Sequence, residues 1–425
     1  MINSERFYKD LDKLISFKTV AAPKEGGYPF GKQNALALEF FLNLAKDLGF
    51  ETINYDNYAG EAYFGEGQEI GIIGHLDVVP EGDGWVTDPY KLTEKDGYLF
   101  GRGVLDDKLP TLLILYALKE LKDSGVKINK KFRLFVGCNE ETGWQDIEYL
   151  KTKTVMPEYG FSPDGNFPPS YAEKGIFLIE VSAPKLKKFC SLSGGTALNA
   201  VCAHATAVAN DNAIDKSLLE KFGLTINGNL ITSVGVAAHG SAPERGKNAL
   251  KPLFEYFLQT GEDVKDVLDY LFYDKGGINK LVNEQGATTL SPNLLTQEGD
   301  KFTIQCDCRL PAPFTVDRLK EIFDRSGLDY TITEKHPPMI VDKNGKFVNA
   351  LLSAYNSVTG KNEKPVSMSG STFARAFKFG CAFGMDFCEY DSHIHDANER
   401  IKITDIDRAY EIYKNTLFAL VNSND

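Results

Sequence analysis

The chain of 425 residues lacks several features that would mark particular classes of protein. No apolar run approaches the roughly 20 residues that a membrane-spanning helix needs, and no basic stripe interleaved with aromatic residues indicates nucleic-acid binding. The net charge of −12 argues against nucleic-acid and anionic-membrane partners. The N-terminal residues also lack the basic and then apolar segments of a secretory signal. We therefore expect a cytoplasmic protein with neither kind of partner.

Cysteine is sparse, with seven residues scattered along the chain. An odd number without a regular framework favours reduced thiols. Cys306 and Cys308 fall on one side of a predicted strand, and Cys381 and Cys388 flank an apolar segment. We interpret both pairs as core thiols, because a zinc knuckle needs closer double pairs. The hydrophobic content of 43% is ordinary for a globular protein that buries a large core.

Strands and helices alternate along the first part of the chain. Apolar runs at residues 70–74 and 131–137 predict strands, whereas amphipathic spacing at residues 33–49 and 109–121 predicts helices. This order indicates an α/β domain with a largely parallel sheet. From about Ile176 the pattern changes, and it predicts a second, α+β unit before helices return near the C-terminal end.

Residues 71–108 contain the first concentration of chemically active side chains. An apolar run ends at His75, and Asp77 follows on the same side of an extended chain. A histidine that binds a metal usually needs a carboxylate to fix its tautomer or orientation. Two adjacent acids, Asp106 and Asp107, then stand in a turn flanked by glycine. Their mutual repulsion would be relieved by a cation.

Further candidate ligands are the pair Glu140-Glu141, Asp164 and His395. Most of the candidates follow an apolar strand, which is where open α/β sheets place their sites. Neighbouring residues in an extended segment point in opposite directions. One glutamate of the pair can therefore bind a metal while the other faces an attacking water. That division of labour is what metal-assisted hydrolysis requires.

Each candidate also has a simpler interpretation when it is taken alone. His75 is equally typical of a hydrogen-bonded core histidine, and Asp106 of a helix N-cap. Asp164 stands in a Pro-Asp-Gly turn, and His395 has the polar neighbours of a surface residue. A solvated loop is the alternative for the glutamate pair.

Taken together, two histidines and three carboxylates exceed the three protein ligands that a single catalytic zinc needs. Five ligands with one bridging carboxylate suit two metal ions about 3.5–4 Å apart. The mixed nitrogen and oxygen donors favour zinc, with manganese or cobalt as alternatives and copper less suited. We therefore predict two zinc ions per chain.

Six motifs of this sequence resemble those of the dinuclear zinc exopeptidases and deacylases, and they occur in the same order as in that family. The family includes peptidase V, carboxypeptidase G, aminoacylase and succinyl-diaminopimelate desuccinylase. The loop at Trp85, an aspartate at Asp164 in place of glutamate, and the run from Ser369 to Arg375 are most similar to the peptidase V dipeptidases. The motifs are Gly74-His75-Leu76-Asp77-Val78-Val79-Pro80, Gly101-Arg102-Gly103 through Asp106-Asp107-Lys108, Asn139-Glu140-Glu141-Thr142-Gly143, Ser162-Pro163-Asp164-Gly165, Ala238-His239-Gly240 through Pro243-Glu244, and His395-Asp396-Ala397-Asn398-Glu399.

The resemblance implies a role for each matching ligand. It implies that Asp106 bridges the two metals. His75 and Asp164 would complete one metal site, and Glu141 and His395 would complete the other.

The resemblance also implies catalytic roles outside the ligand set. Glu140 would be the general base that takes the proton from the attacking water and delivers it to the leaving amine, and Asp77 would support His75. A cis peptide is expected between Asp106 and Asp107. His393 competes with His395 as a ligand, but the residues around His395 favour the latter.

A lid is implied at residues 178–335, inserted into a catalytic domain of residues 1–177 and 336–425. On this lid, His239 would stabilise the tetrahedral oxyanion. Asn199 and Arg309 would hold the substrate carbonyl or carboxylate, because the arginine fork grips a carboxylate with two hydrogen bonds. Thr372 and Arg375 would line the other side of the pocket. The alternatives are a turn-capping loop histidine for His239 and a surface charge for Arg309.

These expectations predict a metal-dependent dipeptidase that acts on small peptides. A carboxypeptidase or an N-acyl amino-acid deacylase of the same family is the alternative, because fold does not determine substrate. A catalytically silent binding protein is disfavoured, since Glu140, Asp77 and all the ligands are present. The long lid implies that His239 acts within its own chain, so the expected protein is a monomer.

Overall fold

A computed structural model describes residues 5–210 and 214–421, and these divide into two compact units. The first unit contains the residues up to Tyr171, Val341–Val366 and those from Thr372 onward. The second contains Ala172–Ile340 and Ser367–Ser371. The predicted lid, residues 178–335, lies within the second unit, and its action as a lid stays a prediction.

Helices and strands alternate through much of the described chain, and none of the described helices has the length and apolar character needed to cross a bilayer. Single turns of 3-10 helix occur at Pro243–Arg245, Ile278–Lys280 and Phe373–Ala376. The α-helices are α1 (Glu5–Ile15), α2 (Lys32–Asp47), α3 (Lys108–Asp123), α4 (Gln145–Lys153), α5 (Lys216–Lys221), α6 (Leu250–Gln259), α7 (Lys265–Leu271), α8 (Val316–Phe323), α9 (Lys346–Thr359) and α10 (Ile403–Val421). The strands are β1 (Glu51–Tyr55), β2 (Ala59–Gly65), β3 (Gln68–His75), β4 (Thr93–Lys95), β5 (Tyr98–Phe100), β6 (Lys130–Gly137), β7 (Tyr159–Ser162), β8 (Ser170–Glu173), β9 (Gly175–Pro184), β10 (Phe189–Gly194), β11 (His204–Ala209), β12 (Thr225–Asn227), β13 (Leu230–Val234), β14 (Val282–Asn283), β15 (Gly286–Ala287), β16 (Thr289–Glu298), β17 (Lys301–Leu310), β18 (Asp329–His336), β19 (Met339–Ile340), β20 (Val366–Met368), β21 (Phe379–Ala382) and β22 (Arg400–Lys402).

The sheet of the first unit is parallel at its centre and antiparallel at its flanks. Its order is β1-β2-β6-β3-β7-β21, followed by β8, which joins at Ser170. The neighbouring pairs β6–β3, β3–β7 and β7–β21 are parallel. β1 and β2 extend the sheet antiparallel beside β6. The predicted α/β class is confirmed, and the antiparallel flanks make the sheet mixed.

The central strands are apolar almost throughout because both of their faces are covered. Ile72 and Ile73 of β3 are fully buried, as are Phe132 and Phe135 of β6. Helix α3 packs on β3 and on α10, while the 3-10 turn at Phe373–Ala376 contacts the sheet near Ile73. Parallel strands bring their carboxyl ends to one edge, so the residues that follow β3, β6 and β7 meet there.

The second unit is an antiparallel sheet with helices packed against it. Its strand order is β12-β13-β11-β10-β16-β17-β9-β18. Phe177, Ile179 and Val181 alternate with partly exposed residues along β9, so one face of the sheet is buried. Buried residues of α6, α7 and α8 complete this core. The predicted α+β unit is therefore present.

All seven cysteines are free thiols, but they do not all lie in a core. Cys306, Cys308 and Cys381 are buried, as predicted. The prediction is wrong for Cys388, which is exposed and has a left-handed φ of 54°. It lies in the loop that follows β21, where no strand period carries its side chain inward.

The glycine before His75 is required by a close approach of α3. A Cβ at Gly74 would lie 1.9 Å from Thr111 Oγ1 and 2.4 Å from Asp107 Oδ2. Overpacking of this kind costs about 1–3 kcal/mol or more. We expect Gly74→Ala to lower the free energy of unfolding by at least that amount in urea denaturation.

Gly27→Ala is the matched control, because nothing lies within 4 Å of its Cβ position and its φ is not left-handed. This variant should unfold at nearly the wild-type urea concentration. Equal midpoints for the two variants would contradict the tight contact at Gly74.

Candidate metal centre

His75 ends β3 with its side chain buried and its tautomer defined. Nδ1 donates to the backbone carbonyl of Asp77 at 3.0 Å, which leaves the Nε2 lone pair for a metal. Nε2 lies 3.0 Å from Asp106 Oδ1 and 4.0 Å from Asp164 Oδ2. The imidazole therefore points its ligating nitrogen at two of the predicted carboxylate ligands.

Asp106 lies between the two predicted histidine ligands. One carboxylate oxygen faces His75, and the other, Oδ2, lies 2.7 Å from His395 Nε2. His395 Nε2 is also 3.3 Å from Glu141 Oε2. A carboxylate that presents one oxygen to each imidazole has the arrangement expected of a bridging ligand. The peptide between Asp106 and Asp107 is cis, as predicted.

Ligating atoms gather in two overlapping groups. Atoms of His75, Glu140 and Asp164 lie within 4.8 Å of one another, and so do atoms of His75, Asp106 and Glu141. Glu140, predicted as the general base, thus shares a group with two predicted ligands. His393 lies 3.7 Å from Asp391, and of the two neighbouring histidines it is His395 that lies beside Asp106.

Asp77 holds the loop of the glutamate pair. Its two carboxylate oxygens accept from the backbone N–H groups of Glu140 and Glu141, each at 3.0 Å. One of these oxygens also lies 3.5 Å from His75 Nδ1. The predicted support of His75 comes mainly from the Asp77 backbone carbonyl, while the side chain positions both glutamates.

Asp146 extends this support and was not predicted from the sequence. Its Oδ2 accepts from the backbone N–H groups of Cys138 and Asn139 at 2.7 and 2.8 Å. Two buried carboxylates thus accept from four consecutive amides, residues 138–141. An acid in the first turn of α4 is also typical of an exposed residue that interacts with the helix dipole, so the sequence carries no signal for this role.

Glu399, the last residue of the sixth motif, holds the Asp106 loop in the structure. Its buried carboxylate accepts from the N–H groups of Gly103, Leu105 and Asp106 at 2.8–3.2 Å. Arg102 Nη1 donates to it at 2.8 Å. The geometry of the loop around the Asp106 carboxylate is therefore defined by a buried ion pair.

Burial and crowding shift the pKa of each acid in the cluster. Burial, followed by repulsion from Asp164, raises the pKa of Glu140 well above its usual range. Burial and the charge of Asp106 likewise raise the pKa values of Glu141 and Asp164. The pKa of Asp106 is lowered despite burial, because His395 and His75 hydrogen-bond to it. The raised pKa values indicate that Glu140, Glu141 and Asp164 lack enough neighbouring positive charge to balance their negative charges.

The donor set fits two divalent ions. Three carboxylates and two imidazoles provide the oxygen and nitrogen ligands that zinc or manganese prefers. Glu141 Oε1 is buried without a hydrogen-bond partner, which is costly unless a cation or a proton satisfies it. Cations bound between Asp106 and its neighbours would offset the repulsion that raises the pKa values of these acids.

The predicted oxyanion donor and its neighbour lie together in the second unit. His239 is exposed, and its Nδ1 accepts from the backbone N–H of Ser241 at 3.2 Å. In the neutral ring this places the proton on Nε2, as an oxyanion donor requires. Gly240 N donates to the carbonyl of Asn199 at 2.6 Å, so the loops of His239 and Asn199 are paired.

Arg309, predicted to grip a substrate carboxylate, already holds an acid of its own strand. Its Nε and Nη2 donate to the two oxygens of Asp307 at 2.6 and 2.8 Å. Nη1 donates to the carbonyl of Ser369 at 3.1 Å. Asp307 thus occupies the Nε–Nη2 edge of the guanidinium. Only the remaining N–H groups of Arg309 are left for other partners.

Thr372 and Arg375 lie on the 3-10 turn beside the centre. Thr372 is buried, and its Oγ1 accepts from the N–H of Ala374 at 3.2 Å as an N-cap. Arg375 is partly buried. Between them, the ring of Phe373 packs edge-on against that of His75, with centroids 6.2 Å apart. The predicted contacts of Thr372 and Arg375 with substrate stay predictions.

An α/β sheet whose carboxyl edge gathers two imidazoles and several buried carboxylates defines a metal-dependent hydrolase of the two-metal type. Residues 71–419 match the sequence profile of Peptidase family M20/M25/M40, and the chain belongs to this family. The predicted family resemblance is confirmed.

Relatives of known name agree with the predicted enzyme class. The chain is 33% identical over 458 residues to a Beta-Ala-Xaa dipeptidase of Lactobacillus delbrueckii subsp. lactis, covering 98% of this chain and 96% of that one. The structure of the dipeptidase Dug1p of Saccharomyces cerevisiae has a TM-score of 0.62 at 14% identity, covering 99% and 96% of the two chains. The Bacillus subtilis protein YXEP, described as a dinuclear metal-binding peptidase, has a TM-score of 0.54 at 10% identity, covering 99% and 100%. The predicted metallo-dipeptidase class is confirmed, and the two structures support the fold.

Proposed function

We propose that this protein hydrolyses dipeptides at a centre of two divalent metal ions held by His75, Asp106, Glu141, Asp164 and His395. The observation that carries the proposal is the position of Asp106, whose two oxygens face the two imidazoles within a cluster of partly or fully buried acids. The substrate class is supported by the relative named a Beta-Ala-Xaa dipeptidase.

Two metal ions bound by these residues would lower the pKa of a water molecule and polarise the scissile carbonyl. Glu140 accepts the proton of the attacking water and passes it to the nitrogen of the leaving amine. Burial raises the pKa of Glu140, which makes its carboxylate a better proton acceptor than a free glutamate. Asp77 keeps Glu140 in place through the backbone N–H, and His239 donates Nε2–H to the developing oxyanion.

The substrate termini are bound, in this proposal, by four residues predicted from the sequence. Asn199 and Arg309 hold the carbonyl or free carboxylate, and Thr372 with Arg375 lines the pocket. Because Asp307 occupies the arginine fork, Arg309 reaches a carboxylate through its outer N–H groups. A requirement for a free carboxylate close to the scissile bond restricts cleavage to the C-terminal peptide bond of the substrate.

The test is hydrolysis by the metal-free chain after addition of zinc, manganese or cobalt. Substrates are unblocked dipeptides, including one with N-terminal β-alanine, the same dipeptides carrying an N-acetyl group, and a tetrapeptide. We expect turnover of the unblocked dipeptides only after metal is added. Exclusive turnover of the acylated compounds would favour the deacylase alternative, and removal of single residues from the tetrapeptide would favour a carboxypeptidase.

Zinc as the metal, a monomeric state and a cytoplasmic location are further parts of the proposal. The nitrogen and oxygen donors support zinc, with manganese or cobalt as alternatives. Seven free cysteines support a reducing compartment. Light scattering at micromolar concentration tests the monomer, and a stable dimer would contradict it.

Metal binding should release protons. Since the pKa values of Glu140, Glu141 and Asp164 are raised, these acids keep their protons to a higher pH than free carboxyl groups do when no cation is present. A divalent ion displaces those protons, so its apparent affinity rises as pH rises. Isothermal titration calorimetry near neutral pH, in two buffers of different ionisation enthalpy, measures the number released. Heats that do not depend on the buffer would contradict the prediction.

A further inference from the structure

We propose that the buried ion pair of Arg102 and Glu399 is a positioning unit that sets metal affinity at the half of the centre that His395 completes. The inference rests on the proposed two-metal function and assigns a role to two residues that contact no substrate. It follows from hydrogen bonds that converge on this pair from three ligand-bearing segments.

Glu399 positions the bridging carboxylate from behind. Its oxygens accept the backbone N–H groups of Gly103, Leu105 and Asp106, and its side chain is fully buried. Three amide donors directed at one carboxylate hold the turn in a single conformation. The direction of the Asp106 side chain is thereby determined by a residue almost 300 positions away in the chain.

Arg102 links that turn to the segments on either side. Besides Glu399, it donates through Nη2 to the carbonyl of Asp396, next to His395, at 3.0 Å. The same nitrogen lies 3.3 and 3.4 Å from the carbonyls of Pro80 and Glu81, which follow the His75 strand. One guanidinium group therefore contacts the backbone on both sides of the Asp106 turn.

The His395 loop needs such a restraint. His395 and Asn398 both have left-handed φ values, 63° and 70°, which are unfavourable for residues with side chains. A loop in this conformation relaxes unless its surroundings hold it. The bond from Arg102 to Asp396 lies between these two positions and opposes that relaxation.

The other half of the centre is held independently. The N–H of His75 donates to Asp107 at 3.1 Å, and β3 fixes the backbone of His75 within the sheet. Glu140, which groups with His75 and Asp164, is held by Asp77. Loss of the ion pair should therefore weaken one metal position more than the other.

The structure contains a second buried ion pair that serves as a matched control. Arg133 of β6 donates to both oxygens of Glu61 of β2 at 2.6 and 2.9 Å, and both side chains are buried. The other hydrogen bonds of Arg133 go to Glu69, Thr154 and the carbonyl of Val155. None of these partners is a predicted ligand, so Glu61→Gln reports the cost of breaking a buried ion pair as such.

The experiment titrates metal-free wild type, Glu399→Gln, Arg102→Lys and Glu61→Gln with cobalt and then with zinc. Cobalt absorption reports the ligand geometry, and competition with a chromogenic chelator gives the affinity of each equivalent. Changes in residues that orient metal ligands typically cost about 10–100-fold in affinity. In Glu399→Gln and Arg102→Lys we expect a loss of this size in the affinity for the second equivalent of metal. The affinity for the first equivalent should change by less than about threefold.

Glu61→Gln should lower the thermal midpoint while leaving both affinities and the cobalt spectrum unchanged. The proposal is overturned if Glu399→Gln and Arg102→Lys bind both equivalents as tightly as wild type, if both affinities fall equally, or if neither variant folds at a temperature where Glu61→Gln does. A wild type that binds no metal would instead contradict the proposed function itself.

Discussion

Glu140→Gln is expected to lower kcat by roughly 10²–10⁴-fold while leaving two metal ions bound. Glutamine matches glutamate in shape but takes up no proton, so the attacking water loses its base and the leaving amine its acid. The backbone N–H of Glu140 still donates to Asp77, and the loop is therefore retained. Steady-state kinetics with a dipeptide substrate, together with metal analysis of the same preparation, measures both quantities.

The control for this variant is Glu148→Gln, the same chemical change on the exposed side of α4. It should retain full activity, because Glu148 lies outside the ligand cluster. Full activity of Glu140→Gln would show that another group acts as the base. Loss of metal from Glu140→Gln would instead identify Glu140 as a ligand. Its carboxylate lies within 4.8 Å of the ligand atoms of His75 and Asp164, which is compatible with that role.

Asp106→Ala is expected to lower turnover at least as much as Glu140→Gln does, but through loss of bound metal. Its carboxylate lies 3.0 Å from His75 and 2.7 Å from His395, so in the proposed centre its removal would take a ligand from both metal positions at once. We expect the bound metal to fall below one ion per chain and turnover to approach background. Metal analysis after dialysis and dipeptide hydrolysis in excess zinc test this.

Asp123→Ala, at the exposed end of α3, is the matched control and should keep both ions. If Asp106→Ala retained two ions with unchanged affinity, the bridging assignment would be wrong. If it retained one ion and substantial activity, the second ion would not be needed for the reaction. The comparison with Glu140→Gln separates loss of metal from loss of the base.

Several features were predictable from the sequence because they depend on local patterns. The apolar runs of β3 and β6 predict buried central strands, and their ends locate His75 and the glutamate pair. The identities of Asp164 and His395 as candidates follow from their motifs. In contrast, β16 was not predicted, because its ten residues include Pro292 and lack a clear alternation.

Residue roles that depend on distant partners were harder to predict. Asp77, Asp146 and Glu399 are buried carboxylates like the predicted ligands, but each accepts backbone N–H groups of a ligand loop. Similarly, Arg309 looks like a carboxylate-binding residue in the sequence, yet its fork is held by Asp307. Nothing in the local sequence distinguishes an acid that binds a metal from one that binds amides.

The sequence by itself determined which side chains are available for metal chemistry and in what order they occur, because residue identity and strand period are local properties. Only the tertiary structure decided how the acids divide between facing the imidazoles and holding the loops. That division depends on distances of about 3 Å between residues separated by up to 297 positions, such as Arg102 and Glu399. Such distances are established only when the sheet and its loops assemble.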